Sequence, residues 1–81
     1  MLVPLYGFLK GDTIGLLVLV QESDTVREIG RTLQEAAAVR VGPRPSADVY
    51  FRGRLLDPAL TVAEAGLEAL ERVDVVPKEE G

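Results

Sequence analysis

The chain reads as an α+β domain: a mixed β-sheet packed on one main α-helix plus a short helical turn. Three observations lead there. Short apolar runs of strand-like character stand on both sides of a single segment whose apolar residues recur at helical spacing. The runs come in pairs joined by turn residues, Lys10-Gly11-Asp12 in the first pair and Arg52-Gly53 in the second. The second run, Ile14-Gly15-Leu16-Leu17-Val18-Leu19-Val20, has no polar side chain, so it does not alternate as a strand with one wet face would.

Leu2–Leu9 is the first strand. Pro4 has no backbone N–H, so it needs a place near the strand start or at an unpaired position. Lys10-Gly11-Asp12 turns the chain back, and Ile14–Gln21 is the second strand. Leu16, Val18 and Val20 point one way, and Leu17 and Leu19 the other. One helix covers one of these stripes, which leaves the second in need of another partner.

Glu22-Ser23-Asp24-Thr25 ends the strand and opens the helix. Thr25 with Glu28 forms a capping box, each side chain meeting an orphan backbone N–H of the first turn. Asp24 and Glu28 also suit the positive end of the helix dipole. Val26, Ile29, Leu33, Ala36 and Ala37 make a narrow apolar stripe, with Arg27, Arg31, Gln34 and Glu35 on the wet side. Gly30 sits mid-helix, where it costs about 1 kcal/mol relative to Ala, and close packing on the sheet is the simplest reason for it. The helix fades near Val39, because Gly42-Pro43-Arg44-Pro45-Ser46 cannot continue it.

Asp48–Phe51 is the third strand. Arg52-Gly53 turns tightly into a short fourth strand, Arg54-Leu55-Leu56, which Asp57-Pro58 breaks. Thr61-Val62-Ala63-Glu64 is a second capping box, opening one helical turn that stops at Gly66. Leu67, Leu70 and Val73 add core. Arg72–Val76 is the last strand, and Pro77 ends it. Residues 1–77 therefore form one domain, and residues 78–81 a polar tail expected to fray.

Composition narrows the function. The chain has 81 residues, no His and no Cys. Triads built on His or Cys and most metal sites are thereby excluded. The acids fall mostly at caps, turns and the tail, not as a pair in an apolar cleft. Gly7, Gly11 and Gly15 lie across a hairpin and not between a strand and a helix, which argues against a phosphate loop. No catalytic, cofactor-binding or metal site is expected, and the chain is read as no enzyme by itself. The net charge of −4 argues against nucleic acid as a partner. The longest apolar run is far short of the roughly 20 residues that span a membrane, and no signal-peptide pattern opens the chain. The absence of Cys fits a reducing cytoplasm.

The element order is β-β-α-β-β-(short helix)-β, two hairpin-like pairs flanking one helix. For such a chain the last strand reaches the first in parallel. This is the β-grasp, or ubiquitin-like, arrangement. Ser23–Ile29, Tyr50–Pro58 and Leu60–Leu67 resemble the corresponding junction, strands and capped turn of ubiquitin-like domains. A closer resemblance is to the toluene-4-monooxygenase system protein B family, small subunits of bacterial multicomponent aromatic monooxygenases. It rests on the Leu-Val-Leu-Val of strand two, Asp24-Thr25, the loop Val39–Pro45, the turn Thr61–Leu67 and the closing Val73-Asp74-Val75-Val76. The stretch Val49–Asp57 departs from that pattern in being short and less basic. The resemblance implies a non-catalytic gamma or B-type subunit without iron ligands, docked on the large hydroxylase subunit of a diiron monooxygenase.

Two features are candidates for partner binding. The first is the second apolar stripe of strand two, Leu17 and Leu19, extended by Tyr6 or Phe8 from strand one. The second is the run of arginines Arg40, Arg44, Arg52 and Arg54, a residue type suited to bidentate contacts with carboxylates. The apolar stripe also leaves open a homo-oligomer of the isolated chain. A stand-alone ubiquitin-like interaction module is the alternative function. A conjugated modifier or sulfur carrier ranks below both, because the chain ends Lys78-Glu79-Glu80-Gly81 without the extended Gly-Gly those proteins use.

Overall fold

The structure is a computed structural model that describes residues 1–78. Five strands and one helix follow in the order β1 (Leu2–Leu9), β2 (Gly15–Gln21), α1 (Val26–Ala36), β3 (Ala47–Phe51), β4 (Arg54–Leu55) and β5 (Arg72–Pro77). The strands form one sheet in the order β2-β1-β5-β3-β4. β1 and β5 pair in parallel at its centre, and every other pairing is antiparallel.

The expected reversals sit where the turn residues placed them. Gly11 takes a positive φ of 98° in the β1–β2 turn. Arg52 and Gly53 both take positive φ, 53° and 77°, the backbone of a type I′ turn between β3 and β4. Pro4 lies opposite Leu19 on β2. Its nitrogen faces the β5 side at a level where β5 has not yet begun, since pairing with β5 starts at Tyr6. The missing donor therefore removes no ladder bond.

α1 lies across one face of the sheet and closes the core. Leu5, Ile29, Leu33, Val62, Val73 and Val75 are fully buried there, joined by Val18 and Val20 from β2 and Val49 from β3. Gly7 lets the helix approach β1 closely: a Cβ at that position would stand 2.8 Å from Leu33 Cδ1. Gly30 does not play this part. A Cβ there would meet Val49 Cγ2 at 3.5 Å, ordinary van der Waals contact, so the packing does not require glycine.

The start of α1 is tied to the connector between β4 and β5. The Val26 N–H donates to Leu60 O (2.8 Å) and the Arg27 N–H to Pro58 O (3.1 Å), while the Glu28 N–H reaches Thr25 Oγ1 (3.4 Å). Three of the orphan donors at this end are thus satisfied within the chain. The reciprocal arm from Glu28 is not formed. The second capping box closes fully, with the Glu64 N–H on Thr61 Oγ1 (3.1 Å) and the Thr61 N–H on Glu64 Oε1 (3.0 Å). The Thr61 backbone N–H, and to a smaller extent the Thr61 side chain, hold the Glu64 carboxyl below its usual range against the opposing effect of burial.

Three expectations about individual side chains fail. Gln34, assigned to the wet side of the helix, is 5% exposed. Its amide accepts from the Arg44 N–H (2.8 Å) and donates to Arg44 O (3.3 Å), so the loop after the helix folds over it. Ala36, assigned to the apolar stripe, is exposed, because the helix ends there and Ala37 takes the buried position. Leu70, expected in the core, is exposed. It holds a positive φ of 67°, and its N–H bonds Pro4 O (2.6 Å), which turns its side chain outward from the β5 approach.

Candidate functional site

The helix covers one face of the sheet and leaves the other open. Alternation along β1 sets Leu2, Pro4, Tyr6 and Phe8 on the open face, and alternation along β2 sets Leu17 and Leu19 beside them. Leu17 and Leu19 are 56% and 58% exposed. Tyr6 stands directly opposite Leu17, and Pro4 opposite Leu19. The result is one continuous apolar band on the β1–β2 half of the sheet.

Tyr6 and Phe8, which sequence offered as alternatives, lie on the same face because they are two residues apart. Their surroundings differ. Tyr6 is 45% exposed. Phe8 faces Gly15, and its ring fills the space a side chain would take there: a Cβ on Gly15 would come within 2.6 Å of Phe8 Cε1. The Arg72 guanidinium sits over that ring, 4.0 Å from its centroid, and bonds Asp74 Oδ1 at 2.9 Å. The apolar band is thus bordered on the β5 side by a stacked, ion-paired arginine. The glycine opposite Phe8 was a readable signal for this packing. Arg72 was not, because its neighbours come from β1.

The arginines do not form one cluster. Arg40 and Arg44 lie at the end of the sheet that carries the β1–β2 turn. Arg52 and Arg54 lie at the opposite end, around the β3–β4 turn. Antiparallel β3 carries the chain from one end to the other, so nearness in sequence does not become nearness in space.

Each arginine has its own setting. Arg40 reaches Asp12 through two nitrogens, Nε to Oδ1 at 2.9 Å and Nη2 to Oδ2 at 2.9 Å. The Asp12 side chain is only 1% exposed. The Arg40 hydrogen bonds hold its carboxyl below the usual range, against the opposing effect of burial. Asp12 in turn pushes the Arg40 guanidinium up. Arg40 is therefore engaged inside the chain, tying the β1–β2 turn to the segment after α1. Arg52 bonds Glu71 (3.2 Å) and stacks on Phe51, 5.0 Å from the centroid. Arg54 is exposed on the edge strand β4. Arg44 borders a groove with Lys10, Val41 and Val76, and a second one with Arg27, Arg31 and Lys78. That second grouping of basic residues was hidden in the sequence, since it joins one side of α1 to the chain on either side of the β3–β5 pair.

Among the described residues no group of His, Cys, Asp or Glu is placed to hold a metal ion. Among the same residues no helix is long and apolar enough to cross a membrane. What the open sheet face presents is an exposed apolar band of Tyr6, Leu17 and Leu19.

A five-stranded mixed sheet with a parallel central pair, crossed by one helix, defines a ubiquitin-like β-grasp domain. Within that class the chain belongs to the toluene-4-monooxygenase system protein B (TmoB) family, whose model matches residues 2–76. Among solved structures it is similar to a chain of the toluene 4-monooxygenase HD complex with the inhibitor 4-bromobenzoate. That likeness has a TM-score of 0.87 and 26% identity over 96% of this chain and 100% of the other. It is also similar to Caldiarchaeum subterraneum ubiquitin, with a TM-score of 0.73 and 17% identity over 100% of this chain and 99% of the other. A designed protein based on ubiquitin gives a TM-score of 0.76 and 20% identity over 99% and 93% of the two chains. The last two likenesses show the fold alone. A search of curated protein sequences returned no match.

Proposed function

We propose that this chain is a non-catalytic accessory subunit of a diiron aromatic monooxygenase, and that it docks on the large hydroxylase subunit through the apolar band of β1 and β2. The observation that supports this most is the end-to-end likeness to a chain from a toluene 4-monooxygenase complex, joined to the family match over residues 2–76. The physical reading agrees. The chain carries neither His nor Cys for iron or nucleophilic chemistry, and its open sheet face exposes Leu17, Leu19 and Tyr6 together. Burying what remains exposed of these two leucines is worth about 2–3 kcal/mol before the costs of association, enough to matter to an interface.

Iron and substrate would then belong to partner chains, and this subunit would shape and stabilise them. The test is gentle purification of a tagged chain from its native host, with iron and co-eluting chains measured in the same fractions. Larger subunits co-eluting with iron are the expected result. A lone iron-free chain, or one bound to unrelated proteins, would overturn the reading in favour of a stand-alone module. Leu19→Glu sharpens the test. The variant should keep its far-ultraviolet circular dichroism, because Leu19 lies outside the core, and should lose the co-eluting subunits. The C-terminal Gly81, on which a carrier role would depend, lies outside the described residues.

A further inference from the structure

The two margins of the sheet are built differently. β4 is two residues long and carries Arg54, a short and charged edge of the kind that resists pairing. β2 is seven residues long, has neither charge nor proline, and pairs with β1 without a bulge from Gly15 to Gln21. Nothing on β2 protects its free side.

The register identifies which backbone groups face that margin. The Tyr6 N–H donates to Glu71 O (2.9 Å), and Pro4 O accepts from the Leu70 N–H. Even-numbered residues of β1 thus turn their backbone toward β5. Their partners on β2, namely Gly15, Leu17, Leu19 and Gln21, turn theirs away from β1 and toward the margin. Gln21 is already satisfied: its N–H donates to Asp24 Oδ2 (2.8 Å), and its carbonyl accepts from the Asp24 N–H (2.9 Å). The open groups belong to Gly15, Leu17 and Leu19, a set symmetric about Leu17.

We propose that β2 pairs edge to edge with β2 of a second copy of this chain, antiparallel and centred on Leu17, giving a two-fold dimer with one continuous sheet. In that register Leu17 faces Leu17 of the second copy, and Gly15 faces Leu19. Each open N–H meets an open C=O, as an isologous interface requires. No charge on either strand opposes the approach, although the chain as a whole is acidic. The side chains of Leu17 meet across the axis, and Leu19 of the second copy comes beside the Phe8 ring that lies on Gly15. The dimer uses the margin of β2 and leaves its outer face open, so this inference does not rest on the hydroxylase reading.

The chain has no cysteine, so single-cysteine variants report the register directly. In a hydrogen-bonded antiparallel pair the Cα atoms lie about 5.5 Å apart, within reach of a disulfide. The purified wild-type chain should sediment as a dimer at high concentration and dissociate on dilution. Leu17→Cys should form a disulfide-linked dimer under mild oxidation. Leu19→Cys, whose counterpart on the second copy lies at the far side of the axis, should not. Leu17→Pro removes one marginal N–H and obstructs the edge with its ring, and should sediment as a monomer. A wild-type monomer at every concentration would overturn the proposal. So would a dimer in which Leu19→Cys cross-links as readily as Leu17→Cys, or one that survives Leu17→Pro. A monomer that instead takes up an extended segment of another protein along β2 would assign the edge to a different occupant and overturn it as well.

Discussion

Gln34 shows how one side chain governs a loop. Its amide caps both backbone groups of Arg44, in the stretch where Gly42, Pro43 and Pro45 leave little regular structure. Gln34→Ala should cost about 1–2 kcal/mol, because the Arg44 N–H and C=O lose their partner while the helix itself keeps a good former. Urea denaturation followed by circular dichroism measures this. An unchanged midpoint would mean that the loop holds itself. Gly30 gives the opposite expectation. The space beside it accepts a Cβ at ordinary contact distance from Val49. Gly30→Ala should therefore stabilise the chain by up to about 1 kcal/mol, through helix propensity and the reduced freedom of the unfolded chain. Destabilisation in the same assay would show that Val49 and Ala47 cannot give way.

At the scale of elements, the fold is held by links between segments that are distant in sequence. The connector before β5 supplies carbonyls to the first turn of α1, so the helix start is anchored by a segment more than thirty residues away. The pair Arg40–Asp12 joins the β1–β2 turn to the end of the helical region. Its sign with pH follows from the direction of the shift. The folded chain holds the Asp12 carboxyl below its usual range, so on acidification the unfolded chain takes up that proton first. The contribution is complete at pH values above the usual aspartate range and is lost as pH falls through the lower folded value. Asp12→Asn should flatten the acid limb of a plot of thermal midpoint against pH while changing its salt dependence little, since the wild-type carboxylate is shielded from solvent. An acid limb as steep as that of the wild type would assign the acid sensitivity to other carboxylates, Glu64 first.

Across the whole molecule, sheet order sets a gradient of stability. β1 and β5 lie in the interior of the sheet, with Val73 and Val75 fully buried, whereas β4 is a two-residue margin. Amide hydrogen exchange should be slowest in β1 and β5, approaching the global unfolding free energy, and fastest in β4. Equal protection of β4 and β5 would overturn that order. The parallel pairing of β1 with β5 joins the two ends of the chain, so the sheet closes only when the intervening helix and hairpin are in place. The open face and the free margin both arise at this scale. A single helix covers one side of five strands and no more, which is why the β1–β2 half leaves Leu17 and Leu19 exposed.

Local signals carried much of this. Period-two and period-3.6 patterns, turn residues and capping boxes belong to residues close along the chain. They placed the strands within about a residue or two of their observed ends and sorted Leu16, Val18 and Val20 from Leu17 and Leu19. The lack of His and Cys removes triads built on those residues and most metal sites. Other features were beyond such signals, because they depend on which segments the sheet makes neighbours. Antiparallel β3 separated Arg40 and Arg44 from Arg52 and Arg54. The loop at Arg44 drew Gln34 inward, and the β5 register brought Arg72 over Phe8. Sequence by itself determined the elements and the two faces of the strands. Only the tertiary structure decided what lies beside each face, because lateral order in a sheet comes from long-range pairing and not from the period of any one strand.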